Sequence, residues 1–281
     1  GGFGSDRLTG GRFEDNILGG SGDDIIDGGT GADTIDGGEG DDQITGGPGD
    51  DIINIGSGTD TVTDLESGDI MTIASGAIAN ILNISDFIAT SATVNRGTVS
   101  LTSSANGSTI LLTDATGPYV INGNDGIDII TGGSANDTIF GGNSGDTLLG
   151  GLGDDNINGE LGNDVIDGGD GDDVIDGGDG DDIIDSRQGN DQLSGGAGND
   201  TFNVTGGTSA ITDLVTGDIF VVSGGNVELN ESLHSYARLK GVKNLELLGF
   251  ISQNLSVEIM QISDVLLYTR NIKFIDNTSP L

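Results

Sequence analysis

Two stretches of the chain place a large apolar residue at every ninth position. The first stretch has Leu8, Ile17, Ile26, Ile35, Ile44, Ile53 and Val62. The second has Ile130, Ile139, Leu148, Ile157, Ile166, Ile175, Ile184, Leu193 and Phe202. Glycine pairs recur between these residues, so the chain cuts into nonamers without a gap. GGFGSDRLT, GGRFEDNIL and GGSGDDIID open the first run, which ends at Thr72; GNDGIDIIT opens the second, which begins at Gly123 and ends at Val221. The pattern is G-G-x-G-x-D-x-U-x, with U apolar, and it covers about 60% of the chain. One inward apolar residue per nine, in a strand of roughly three residues, predicts a thin core with turns on both edges. A disordered acidic linker would not keep that period.

Both runs close alike, with TDLESGD at Thr63–Asp69 and TDLVTGD at Thr212–Asp218, where the glycine pairs are lost while the period survives. The segment 73–122 between the runs has a different texture. Ser85, with Asp86 behind it, is placed to cap a short helix. Strand-like stretches follow at 98–102, 109–113 and 119–121, separated by turn residues. Their spacing is near nine, so the segment is read as a continuation of the coil, with a separate small domain as the competing picture. The tail, 222–281, is richer in apolar and β-branched residues. Its segments 245–250 and 257–262 are expected to cover the open end of the second run, since a solenoid end exposes strand edges and core.

Composition sharpens this picture. The chain has 281 residues, 53 Gly, 46 acidic against 9 basic residues, one His, no Cys and no Trp, for a net charge of −37. Such charge opposes compaction unless cations neutralise it, and it argues against nucleic acid or an anionic membrane as partner. Without cysteine there is no disulfide or thiol chemistry, and the lone His234 excludes a histidine-built metal or triad site. No apolar run is long enough for a membrane span. The acids are concentrated in the repeats: residues 1–72 hold 17 acids and 2 bases, and residues 123–221 hold 21 and 1, while 73–122 hold 2 and 1.

The nonamer resembles the hemolysin-type, or RTX, calcium-binding repeat of secreted bacterial proteins. Paired glycines allow positive φ in a tight turn. Aspartate at position six supplies a hard carboxylate, which with turn carbonyls makes an oxygen cage suited to Ca²⁺. The candidate ligands are Asp6, Asp15, Asp24, Asp33, Asp42, Asp51 and Asp60 in the first run. In the second they are Asp128, Asp137, Asp146, Asp155, Asp164, Asp173, Asp182, Asp191 and Asp200. The resemblance implies an all-β fold, a right-handed parallel β-roll stacked by calcium in two blocks, with two nonamers per coil. Each ion then sits between turns two repeats apart, for example between Asp24 and Asp42, or Asp155 and Asp173. Counting turns gives about twelve ions, whose charge would offset about two thirds of the −37. The expected organisation is a first roll at 1–72, a calcium-poor insert of mixed structure at 73–122, a second roll at 123–221 and a β-rich cap at 222–281.

Departures from the pattern mark weaker turns. Ser209 forfeits the carboxylate at position six. In SRQGNDQLS, Arg187 replaces the second glycine and follows Ser186, so that turn is expected to bind less well or tilt. Phe13, Ala135 and Ser144 at position four, and Glu160 at position two, raise the same expectation. The closing segments are read as coils with weaker calcium sites or none.

Catalytic motifs are missing: there is no H-E-x-x-H and no G-x-S-x-G. A glycosidase pair needs one carboxyl with a raised pKa in a concave site, whereas carboxylates beside Ca²⁺ stay ionised. Paired acids such as Asp172 and Asp173 are read as a solvated position five beside a ligand. Positions seven and nine mix Arg7, Thr9, Asn16, Leu18 and Asp27 and form no regular row for ice or glycan. The expectation is therefore a non-enzymatic, calcium-assembled module of a secreted or cell-surface protein, such as a surface-layer protein, with self-association or cell-surface contact as further partners. The alternative is the C-terminal export and folding region of a larger toxin, adhesin or enzyme. The opening GGFGSDRLTGG is not a signal peptide and reads as the middle of a repeat. The tail resembles, in length and weak charge, the uncleaved type I export signals of this family.

Overall fold

Each nonamer folds as a glycine corner followed by a short strand. In GGEG, Gly38 and Gly40 take φ of 99° and 125°, a conformation that costs other residues energy. Gly40 also passes so close to the previous coil that a methyl group there would lie 2.5 Å from the Gly22 carbonyl oxygen. Strands from alternate nonamers pair in parallel. Asn16–Ser21 pairs with Thr34–Glu39, and this with Ile52–Ile55, in the register Ile17↔Ile35↔Ile53. The intervening nonamers form a second ladder, Leu8↔Ile26↔Ile44↔Val62. Partners are thus 18 residues apart, two nonamers per coil, and the position-eight residues stack inward as a row that is buried from Ile17 onward.

The computed structural model describes residues 1–213, 215 and 217–222, and beyond them the backbone of the strands Asn226–Leu229, Arg238–Lys240, Leu245–Leu248, Glu258–Ile259 and Ile272–Ile275. The chain divides into two units, Gly1–Asn143 and Ser144–Leu281. Each is an all-strand parallel β-solenoid, and there is no helix among the described residues. None of them forms a helix long and apolar enough to cross a membrane.

The helix expected after Ser85 is absent. Ser85 instead separates the strands Ile78–Ile84 and Asp86–Ile88. The apolar spacing Ile81, Ile84, Phe87 looks helical, but it arises from a bent strand. Asn83 has φ of 59°, and the register slips between Ile81 and Ile84. All three side chains are buried in the coil, where pairing with Thr98–Ser103 and Thr109–Leu111 outweighs the local capping signal. The insert is wound into the first unit: Ile78–Ile84 pairs with Thr59–Val62 before it and Thr98–Ser103 after it. Its coils are longer. Ile78 pairs with Thr98, 20 residues on, and Asp86 with Thr109, 23 residues on, before the 18-residue step returns at Val120↔Thr138.

In the second unit the ladder Thr147–Leu152, Val165–Asp170, Ile183–Asp185, Thr201–Val204, Ile219–Val222 faces the ladder Asn156–Leu161, Val174–Asp179, Asn190–Ala197, Thr208–Ile211. The described tail strands extend both: Arg238–Lys240 pairs with Ile219–Val222, and Leu245–Leu248 with Asn226–Leu229 and Ile272–Ile275. Of the segments expected to cap the roll, Leu245–Leu248 and Glu258–Ile259 take part in these ladders. The remainder of those segments and His234 lie outside the described residues.

The alternation makes a direct test. Ile175 is 1% exposed and its neighbour Val174 44%. Ile175→Ala is expected to lower stability by about 2–4 kcal/mol, and Val174→Ala by less than about 1 kcal/mol, measured by urea unfolding. Equal losses would show that the inward row is misassigned.

Candidate metal sites

Position six stands just before the strand in most repeats and two residues before the buried position eight, so its aspartate is turned into the stack beside the apolar row. Asp24, Asp33, Asp42, Asp51, Asp60, Asp128 and Asp137 in the first unit are buried. So are Asp146, Asp155, Asp164, Asp173, Asp182, Asp191 and Asp200 in the second. Asp6 and Asp15, in the first of these coils, are half-buried.

In most of these carboxylates one oxygen has a fixed task. In the first unit the N–H of Asp6 donates to Asp24 Oδ1 at 2.7 Å, Asp24 to Asp42 at 2.8 Å and Asp42 to Asp60 at 2.9 Å. Asp15, Asp33 and Asp51 repeat the arrangement on the other edge. In the second unit Asp146, Asp164, Asp182 and Asp200 make one row, and Asp155, Asp173 and Asp191 another. The second oxygen is different. Oδ2 of Asp24, Asp33, Asp42, Asp51 and Asp60, and of Asp164, Asp173, Asp182 and Asp200, is buried with no protein hydrogen bond. Burying an ionised oxygen this way costs several kcal/mol unless a cation or proton joins it.

Backbone oxygens converge on the same place. A methyl group at Gly28 would sit 2.5 Å from the Gly46 carbonyl oxygen and 2.6 Å from Asp33 Oδ2. Gly10 would meet the Gly28 carbonyl and Asp15 Oδ2 in the same way, and Gly177 the Gly195 carbonyl and Asp182 Oδ2. Among the described residues no three His, Cys, Asp or Glu side chains gather into a metal-binding group. A cation here would therefore take one or two carboxylate oxygens and complete its shell with carbonyls. Such an all-oxygen, largely neutral set suits Ca²⁺, which accepts irregular shells of many oxygens, better than Mg²⁺ or a transition metal.

Burial raises the carboxyls of Asp60, Asp164, Asp173, Asp182 and Asp200 from 3.8 to about 6, and neighbouring aspartates add to the effect. A bound divalent cation would reverse this preference. Position five forms an outer ladder: Asp23 accepts from Asp41 N–H at 3.0 Å and Asp154 from Asp172 N–H at 2.9 Å. These solvent-facing acids also tie coils together.

The sequence reading missed Asp69 and Asp218, which occupy position six of the closing nonamers and are buried. Their frame was readable, but the loss of glycines hid it. Both of their oxygens are satisfied by the protein. Asp69 accepts from Asp51 N–H at 2.9 Å and Glu66 N–H at 2.8 Å, and Asp218 from Asp200 N–H at 3.0 Å and Val215 N–H at 2.8 Å. Asp64 and Asp213, five residues earlier, bind the glycine pairs of the preceding coil through Gly46 and Gly47, and through Gly195 and Gly196. Asp191 also differs from its neighbours, for Ser209 Oγ lies 3.4 Å from its Oδ2.

A family model described as RTX calcium-binding nonapeptide repeat (4 copies) matches residues 1–35, 27–62, 122–157, 149–184, 167–202 and 176–209. Together these cover 150 of the 281 residues and leave the insert and the tail unmatched. No curated protein matches the chain.

These raised carboxyls give a pH test. In chelator, the folded stack holds protons that the unfolded chain releases above 3.8, so its stability is greatest below that pH and is lost as pH rises through about 6. Circular dichroism of the ion-free chain is expected to show β structure gained on acidification from pH 7 to below 4. Calcium-loaded protein should respond oppositely, because protons compete with the cation for the carboxylates. Ion-free chain that loses structure on acidification would contradict the assignment.

Proposed function

Because the chain belongs to the RTX calcium-binding nonapeptide repeat family, we propose that it is a non-catalytic module of a secreted or cell-surface protein, folded outside the cell by calcium. Its repeats are calcium-binding repeats, and the β-roll is a structural fold rather than a catalytic one. The observation that carries the reading is the row of buried Oδ2 atoms facing backbone carbonyls without a protein donor.

In this reading the position-six aspartates from Asp6 to Asp60 and from Asp128 to Asp200, Asp191 apart, hold the ions, with the insert 73–122 free of them. A bound ion supplies positive charge between coils. The chain does the rest: Oδ1 fixes the spacing of successive coils through the Asp N–H, Oδ2 and the glycine carbonyls face the ion, and the apolar row excludes water from one side. Inter-turn sites of this kind suit affinities of about 10⁻⁴–10⁻³ M, those of extracellular modules. In a low-calcium cytosol the acidic repeats would then stay unfolded and exportable. Segments 1–72 and 123–221 act as the two calcium-loaded blocks, and 222–281 serves as cap, export signal or both.

Two measurements test this. Far-ultraviolet circular dichroism in chelator is expected to show a largely disordered chain that gains β structure when Ca²⁺ is added at millimolar level; β structure complete without calcium would overturn it. By calorimetry, Asp173→Asn should lose one or two bound ions. Asp170→Asn, at the exposed last residue of the strand Val165–Asp170, should lose none. Equal losses would place the ligand at the wrong position of the repeat.

A further inference from the structure

The nonamer SRQGNDQLS, residues 186–194, lacks the glycine pair around which the oxygen cradle is built. At Gly168, one coil earlier, a methyl group would lie 2.5 Å from Asp173 Oδ2. Ser186 carries a side chain at that same point of the repeat, and it is fully buried, at 0% exposure. Its hydroxyl is 2.9 Å from the hydroxyl of Ser209. Ser209 stands at position six of its own nonamer, where an aspartate would otherwise be, and is also 0% exposed. It donates a long hydrogen bond, 3.4 Å, to Asp191 Oδ2. The other oxygen of Asp191 accepts from Asp173 N–H. So the carboxylate oxygen that is left bare in Asp173, Asp182 and Asp200 is covered by a hydroxyl in Asp191.

Charge is supplied at the same turn from outside. Arg187 is the one basic residue among the 21 acids of residues 123–221. It holds φ of 57°, an unfavourable conformation for a side chain of this size. From there its Nε lies 2.8 Å from both carboxylate oxygens of Asp167, its terminal nitrogen also pairs with Asp167, and its Nε is 3.9 Å from Asp185 Oδ2. Its backbone N–H and the Thr205 hydroxyl both donate to Asp185 Oδ1 at 3.2 Å. A fixed cation thus joins two successive coils of one ladder.

From these contacts we propose that the turn 186–191 takes no calcium and is a metal-free link in the stack. Ser186 and Ser209 fill the cradle with hydroxyls, and Arg187 provides the positive charge. Asp191 is then a hydrogen-bond acceptor between coils and not a calcium ligand. The inference rests on the reading that position-six aspartates elsewhere hold calcium.

Bound calcium per full-length chain, measured by equilibrium dialysis and elemental analysis, tests it in three variants. Asp182→Asn is expected to lose at least one ion, and Asp191→Asn none. The triple variant Ser186→Gly, Arg187→Gly, Ser209→Asp, which restores the repeat, is expected to gain at least one. Asp191→Asn losing as many ions as Asp182→Asn overturns this proposal alone. If Asp182→Asn also loses none, the calcium-ligand reading of position six fails and the proposal falls with it. Circular dichroism at saturating calcium reports whether each variant folds. Should Asp191→Asn not fold, the triple variant decides: a gained ion supports the metal-free turn, and an unchanged count overturns it.

Discussion

Everything in the two rolls depends on carboxylates held inside a hydrogen-bonded backbone ladder. An aspartate whose Oδ1 bridges successive coils, as Asp42 does for Asp24, has its other oxygen trapped beside carbonyls. Those carbonyls point their negative ends inward, so the ladder concentrates negative potential where a carboxylate is already buried. Proteins elsewhere satisfy such an oxygen with N–H groups. Here the N–H groups are consumed by the ladder itself, which leaves a proton or a cation to balance the site. The chain's −37 charge and its stability are therefore one problem.

The thin core leaves little apolar burial to offset this buried charge. Each half-coil buries one large apolar side chain, and glycine, which loses the most backbone freedom on folding, occupies the corners. Where the core grows, the carboxylates disappear. In the insert Phe87, Leu101, Leu112 and Tyr119 are buried, the coil lengthens, and the ladder continues with hardly any acid. Tyr119 shows the exchange at a single position. Framed as DATGPYVIN, the nonamer before Gly123 puts it at position six, and its N–H donates to Asp137 Oδ1 at 2.7 Å, as an aspartate's does elsewhere in the row. The backbone geometry of the repeat is thus kept while a buried ring takes the space that the carboxylate would occupy.

This division decides what could be read from sequence alone. Period nine, position-eight core and position-six acid are local and repeated, so the coil, its strands and the buried row from Ile17 to Phe202 were legible. The bend at Asn83 was not, because Ser85 followed by Asp86 has the local appearance of a helix cap, and only the pairing of Asp86–Ile88 with Thr109–Leu111 makes it a strand. Nor was the satisfaction of each carboxylate. Asp182 and Asp191 are the same residue at the same position of the repeat, but which of them has a hydroxyl against its second oxygen depends on Ser209, 18 residues after Asp191. Such information lies one coil away in space and two nonamers away in sequence.

The two closing segments show how a carboxylate stack can end without an exposed ionic edge. Asp64 and Asp213 each receive two N–H groups from a glycine pair, 2.7 to 3.0 Å away, and those glycines belong to the coil before. Asp69 and Asp218 accept from the aspartate behind them and also from a turn residue three positions earlier, Glu66 or Val215. A tight turn has thus replaced the open glycine corner, and it brings an N–H to the oxygen that other coils leave bare. Loss of the glycine pair and gain of the local donor are one change in the chain's path. The same solution appears in both units, so a closing aspartate whose two oxygens are both bonded to backbone N–H groups belongs to the design of the repeat array as much as the carboxylates with a bare Oδ2 do.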